Sequence, residues 1–147
     1  MTDIGFYHLT TILLDKALPK LLEKVLENNM RAVVLVEDKD AEEKINRLLW
    51  IYNPHRFLPH GTAEDGHAEH QPIYITSKEE NPNNADVIVI PKIKNTDFVN
   101  KFSRCLVLFD GQNEVAKARN LWKEYSAGDH NLTYWKQNPE GAWEKGA

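Results

Sequence analysis

Hydrophobic and polar positions fall into blocks along this chain, and the block lengths switch between those of strands and those of helices. Ile4-Gly5-Phe6-Tyr7-His8-Leu9 is short and aromatic-rich and runs into Thr10-Thr11, which predicts a strand followed by a helix N-cap. From Leu13 onward, Leu14, Leu18, Leu21, Leu22, Val25 and Leu26 recur at helical spacing, so an amphipathic helix is expected up to Asn28-Asn29, with Pro19 placed to bend it. Ala32-Val33-Val34-Leu35-Val36 is an unbroken apolar run closed by Glu37-Asp38, the pattern of a central strand covered on both faces in a parallel sheet. Asp40 is the predicted cap of a second helix with a stripe of Ala41, Ile45, Leu48, Leu49 and Tyr52, stopped at Asn53-Pro54.

From Asn53 to Gln71 the periodicity is lost. The segment holds two prolines, two glycines and four of the six histidines, and reads as a long loop of the kind that often carries function. Strand patterns return at Pro72–Ile75, Asp86–Ile90 and Cys105–Phe109, with a short helix over Asp97–Ser103. A further helix is predicted from Asn113 to Ala127, stopping at Gly128, and Asn131–Trp135 supplies a last, edge strand. Strand and helix alternate throughout, which implies a three-layer α/β fold with a mostly parallel sheet flanked by helices. The expected organisation is one domain over residues 1–136 and a polar, mobile tail over 137–147, in which Trp143 could dock.

The length of 147 residues suits one domain, and 41% hydrophobic with 27% charged residues excludes disordered and fibrous classes. A formal charge of -4 provides no overall positive field for DNA, RNA or an anionic membrane. The single cysteine, Cys105, leaves no intramolecular disulfide, and no apolar run approaches the ~20 residues of a membrane span. The start of the chain, with Asp3 and Asp15, lacks the chemistry of a signal peptide, so a soluble cytoplasmic protein is expected.

Several chemistries have no motif here. A Rossmann-like topology prompts a search for G-x-G-x-x-G or G-x-x-x-x-G-K-[ST], and neither occurs, so no nucleotide cofactor is expected. A G-x-S-x-G elbow is also missing, and Cys105 lies in an apolar strand as a packing group. His60, His67 and His70, beside Glu64, Asp65 and Glu69, offer donors for zinc and define the alternative reading, a small metal-dependent hydrolase. Charge is distributed unevenly: residues 1–86 carry 9 Lys+Arg against 15 Asp+Glu, whereas residues 87–136 carry 8 against 5. On the 113–127 helix, Arg119 and Lys123 share a face flanked by Trp122. Two cations beside an indole suit an anionic peptide with a hydrophobic anchor, the charges steering and the anchor supplying most of the binding energy.

Leu48-Leu49-Trp50, followed after a short gap by Phe57-Leu58-Pro59-His60-Gly61, resembles the chi subunit of bacterial DNA polymerase III. Phe6-Tyr7-His8-Leu9, Asp86–Ile90 and the ending Arg119-x-x-Trp122-Lys123-x-Tyr125, Asn131-Leu132, Trp135-Lys136 follow the order and approximate spacing of that family, so the likeness covers residues 3–136. It implies a non-catalytic accessory subunit of the clamp loader, a replisome adaptor joined to the loader through the psi subunit and to the acidic, Phe-ending tail of single-stranded-DNA-binding protein. By position the tail pocket carries over to Leu108, Arg119, Trp122, Lys123 and Tyr134, and the psi interface to Trp50, Phe57 and Pro59. Trp122 stands where relatives commonly have tyrosine, and the tail beyond Lys136 exceeds the short form of the family. DNA would then be reached only indirectly; direct binding through the basic helix and Trp122 would require a basic groove that an acidic chain does not favour.

Overall fold

The computed structural model describes residues 2–10, 13–52, 59–110, 114–140 and 142–146. Among the described residues seven strands form one sheet: β1 (Asp3–Leu9), β2 (Ala32–Leu35), β3 (Ile73–Thr76), β4 (Val87–Ile90), β5 (Arg104–Asp110), β6 (Asn131–Gln137) and β7 (Trp143–Lys145). Their order is β3-β2-β4-β5-β1-β6-β7, with every pairing parallel except β6–β7. The α-helices among the described residues are α1 (Leu14–Glu27), α2 (Lys39–Ile51) and α3 (Val115–Ser126), which complete the layers.

The central strands β2, β3 and β4 are fully buried because the chain covers both faces of the sheet, whereas β6 and β7 are half-buried or exposed. One face joins Val34, Ile75, Val89 and Leu108 to Leu18, Leu22, Ile45 and Leu49 of α1 and α2. The other joins Phe6, Val33, Ile88 and Val107 to Leu121 and Tyr125 of α3 and to Phe98 and Val99 of the 3-10 turn Asp97–Lys101. Alternate residues of each strand serve opposite cores, as the pleat requires. The predicted three-layer α/β architecture is therefore present. Among the described residues no helix is long and apolar enough to cross a membrane.

Three local expectations are corrected. Asp38, not Asp40, caps α2: its carboxylate accepts from the Ala41 N–H at 2.8 Å from an extended backbone, the geometry of an N-cap. Leu13 occupies the N-cap of α1 without a side-chain bond, while the Thr10 N–H donates to the Gln137 side chain at 2.9 Å and its hydroxyl to the Gln137 carbonyl at 3.3 Å, tying β1 to β6. Thr11 lies outside the described residues. Finally, β6 is an interior strand. Within the segment expected as a polar tail, Trp143, Glu144 and Lys145 pair antiparallel with Gln137, Lys136 and Trp135. Trp143 packs edge-on to Tyr7 at 5.1 Å, and Tyr7 stacks on Trp135 at 6.2 Å. Three aromatic rings thus give a short polar segment the buried area that its neighbours lack.

The capping assignment is checked by unfolding in urea. Asp38→Ala should lower stability by about 1 kcal/mol through loss of the cap, and Asp40→Ala, which contributes only to the first-turn electrostatics, by roughly half of that or less.

Candidate functional site

The amphipathic pattern of α3 sets its orientation. Ala118, Leu121 and Tyr125 are buried on the sheet, Trp122 is half-buried at the edge of that stripe, and Arg119 and Lys123 stand exposed beside it. Across from this edge lie the ends of three adjacent strands. Register places Phe6 beside Val107 and Tyr134, and His8 beside Phe109 and Lys136, so all six point to the α3 side of the sheet. Between helix and strands is a cleft of about 570 Å³ lined by Phe6, His8, Phe109, Val115, Ala118, Arg119, Trp122, Lys123, Tyr134 and Lys136.

Aromatic rings build the walls. The Trp122 ring meets Phe6 edge-on at 5.2 Å, and His8 stacks on Phe109 at 4.7 Å. Tyr134 closes the far side, 6.4 Å from the Phe109 ring, with its hydroxyl hydrogen-bonded to His8 Nδ1. Burial raises the pKa of the Tyr134 hydroxyl, while the nearby Arg119 guanidinium pulls in the opposite direction. The C-terminal hairpin buttresses that wall from behind: the Gly146 N–H donates to the Tyr134 carbonyl at 2.7 Å, and a side chain at 146 would strike the Tyr134 ring. An apolar floor with Arg119, Lys123 and Lys136 at its rim can hold a carboxylate beside an aromatic ring, combining charge-assisted hydrogen bonds with ring burial.

The structure brings Arg119, Trp122, Lys123 and Tyr134 together at this cleft. Leu108, expected to belong with them, does not: it is fully buried on the opposite face, among the residues beneath α1 and α2. Side chains alternate with a period of two, so a single position along β5 moves a residue to the other core, and Phe109 takes the wall instead. Phe6, His8 and Lys136 were also missed as lining residues. Their signal was the same alternation, once β1 and β6 are known to flank each other.

At the second predicted surface Trp50 is 56% exposed and Ile51 73% exposed, at the C-terminal end of α2. Trp50 meets the buried His60 edge-on at 5.0 Å, and Pro59 is half-buried. Phe57 lies outside the described residues. His67 and His70 sit around an exposed 3-10 turn with ring centres 6.3 Å apart, and His70 approaches Glu69 at 3.6 Å. Among the described residues no group of three His, Cys, Asp or Glu side chains could hold a metal ion. Cys105 is fully buried, and burial pushes its thiol far above the range in which a thiolate forms.

The family profile described as "DNA polymerase III chi subunit, HolC" matches residues 1–133. A similar curated protein, "Probable DNA polymerase III subunit chi" of Rickettsia prowazekii (strain Madrid E), is 32% identical over 154 aligned positions, covering 99% of this chain and 92% of the relative.

The proximity of Arg119 to Tyr134 has a titration signature. Arg119→Ala removes a cation that favours the phenolate, so the Tyr134 hydroxyl pKa should move further up, followed by NMR of ring-labelled tyrosine; Lys117→Ala, which does not line this cleft, should leave it in place.

Proposed function

This chain belongs to the DNA polymerase III chi-subunit family, and on that premise we propose that it is a replisome adaptor linking the clamp loader, through psi, to the acidic C-terminal tail of single-stranded-DNA-binding protein. It is a non-catalytic accessory subunit acting in DNA replication. The observation that carries the adaptor reading is the cleft beside α3. Its rim of three cations on a chain of net charge -4 favours an anionic ligand, and its aromatic walls favour a ring. A tail ending in a Phe carboxylate supplies both. In this reading Arg119 and Lys123 meet the carboxylates, and Trp122, Phe109 and Tyr134 receive the phenyl ring. The attraction steers the encounter, while ring burial provides most of the affinity.

The psi-facing surface is assigned to Trp50, Phe57 and Pro59. The exposure of Trp50 and Ile51 supports it, because an indole and a branched aliphatic side by side in water are a costly arrangement unless a partner covers them. The two surfaces belong to different elements, so one chain can hold both partners at once.

Titration with a short acidic peptide ending in Phe tests the first assignment. Arg119→Ala or Lys123→Ala should weaken binding by roughly 1–3 kcal/mol at whichever residue holds the terminal carboxylate and ~0–1 kcal/mol at the more solvated one. Deleting the terminal Phe should cost more than neutralising one tail aspartate, and affinity should fall with added salt. Normal binding by folded Arg119 and Lys123 variants would remove the cleft from the proposal.

The second assignment has its own test. Trp50→Ala should weaken association with psi in a pull-down or calorimetric titration and leave binding of the Phe-ending peptide nearly unchanged. Equal loss at both would mean that Trp50 maintains the fold.

A further inference from the structure

A larger crevice, of about 840 Å³, opens across the edge of the sheet at the carboxyl ends of β2 and β4, between α1 and α2 on one face and the Lys117 end of α3 on the other. Chain direction diverges there: the connection from β2 passes through α2 to β3 on one side, and that from β4 passes through the 3-10 turn to β5 on the other. Such a point leaves a gap between the connections that no backbone fills, and open α/β sheets use it for ligands. Leu14 of α1, Val36 after β2, and Ala41, Ile45 and Leu48 of α2 form an apolar lining, with Ile93 opposite. Leu13 stands at the mouth, 71% exposed.

The rim is basic. Lys44, Lys92, Lys94 and Lys117 line it against only Asp15 and Glu37, and Glu37 is already engaged by Lys92 at 3.4 Å. This excess of positive charge occurs on a chain of net charge -4. The charged lining residues sit at the rim, while the buried part of the lining is apolar. A small metabolite needs convergent polar groups deep in its pocket to fix its orientation, and this lining lacks them. A peptide does not, because apolar side chains anchor it and flanking charges set its register.

We infer that this crevice is a second peptide-docking site, separate from the α3 cleft, whose occupant is a segment of a protein partner bearing at least two apolar side chains flanked by carboxylates. The lysine rim attracts the segment and selects its sign of charge; Leu48, Ile45 and Leu14 bury its anchors. The site shares no lining residue with the α3 cleft, so its occupancy does not depend on the assignment of a ligand to that cleft.

The test is a selection with a random dodecapeptide library displayed on phage. The full chain carrying Arg119→Ala and Lys123→Ala is the target, which removes the other cleft as a competitor. The counter-target is the same protein with Lys44→Glu and Lys92→Glu added, both exposed positions whose exchange leaves the core untouched, with folding verified by circular dichroism. Enriched peptides should be acidic with paired apolar residues. In fluorescence anisotropy they should bind the counter-target at least about tenfold more weakly, and Leu13→Ser should also weaken them. No enrichment, enrichment of neutral or basic sequences, or equal binding to the counter-target would overturn the proposal. So would self-association of the purified chain, seen by light scattering and abolished by the two Lys→Glu exchanges, because the crevice would then receive a second copy.

Discussion

The parallel pairing of β1 with both β5 and β6 fixes everything that the α3 cleft requires. Register sets Phe6 and His8 level with Val107 and Phe109 on one side and with Tyr134 and Lys136 on the other. In a parallel sheet, neighbours at the same level point to the same face, so three strands distant in sequence present one aromatic surface to one helix. A slip of one residue in either ladder would exchange His8 for Tyr7 or Leu9 and turn the surface into part of the opposite core. The stacked His8 and Phe109 rings, the Phe6–Trp122 contact and the Tyr134 wall are consequences of that alignment.

Most of the fold was legible in the chain because its central strands are of the fully buried kind. Ala32–Val36 and Val87–Ile90 are apolar without interruption, which only a sheet covered on both faces tolerates, and the helices between them have clear stripes. The same property hid part of the site. An unbroken apolar run carries no alternation to indicate which residue faces which core, so Leu108 and Phe109 could not be told apart by pattern. On α3, by contrast, charge and burial alternate at helical spacing, and Arg119, Trp122 and Lys123 were readable as one face. β7 was missed for another reason: Trp143-Glu144-Lys145 is too short and polar to announce a strand, and its stability comes from Tyr7 and Trp135 across the sheet. Asp38 and Asp40 are equally good caps by residue type, and the choice between them depends on where the backbone leaves β2.

Electrostatics in this molecule is local. The chain as a whole is acidic, yet the α3 cleft and the crevice at the ends of β2 and β4 both carry lysine or arginine at their margins. A net charge of -4 supplies no general attraction for polyanions, whereas within a Debye length of about 10 Å at 0.1 M salt the cleft cations dominate the local field. Polarity is thus divided between an acidic surface and recesses that combine apolar walls with basic margins. That division matches an accessory subunit of a DNA polymerase that works close to DNA.

The position of β1 also has a consequence for biosynthesis. Its partners lie far along the chain, because Asp3 pairs with Arg104 on one edge and with Asn131 on the other, more than a hundred residues later. Until those partners are made, both edges of β1 are open, and a sheet completed only by such distant contacts closes slowly. The nascent chain therefore exposes an aggregation-prone strand for nearly the whole of its synthesis, which makes the early segment a natural client of ribosome-associated chaperones.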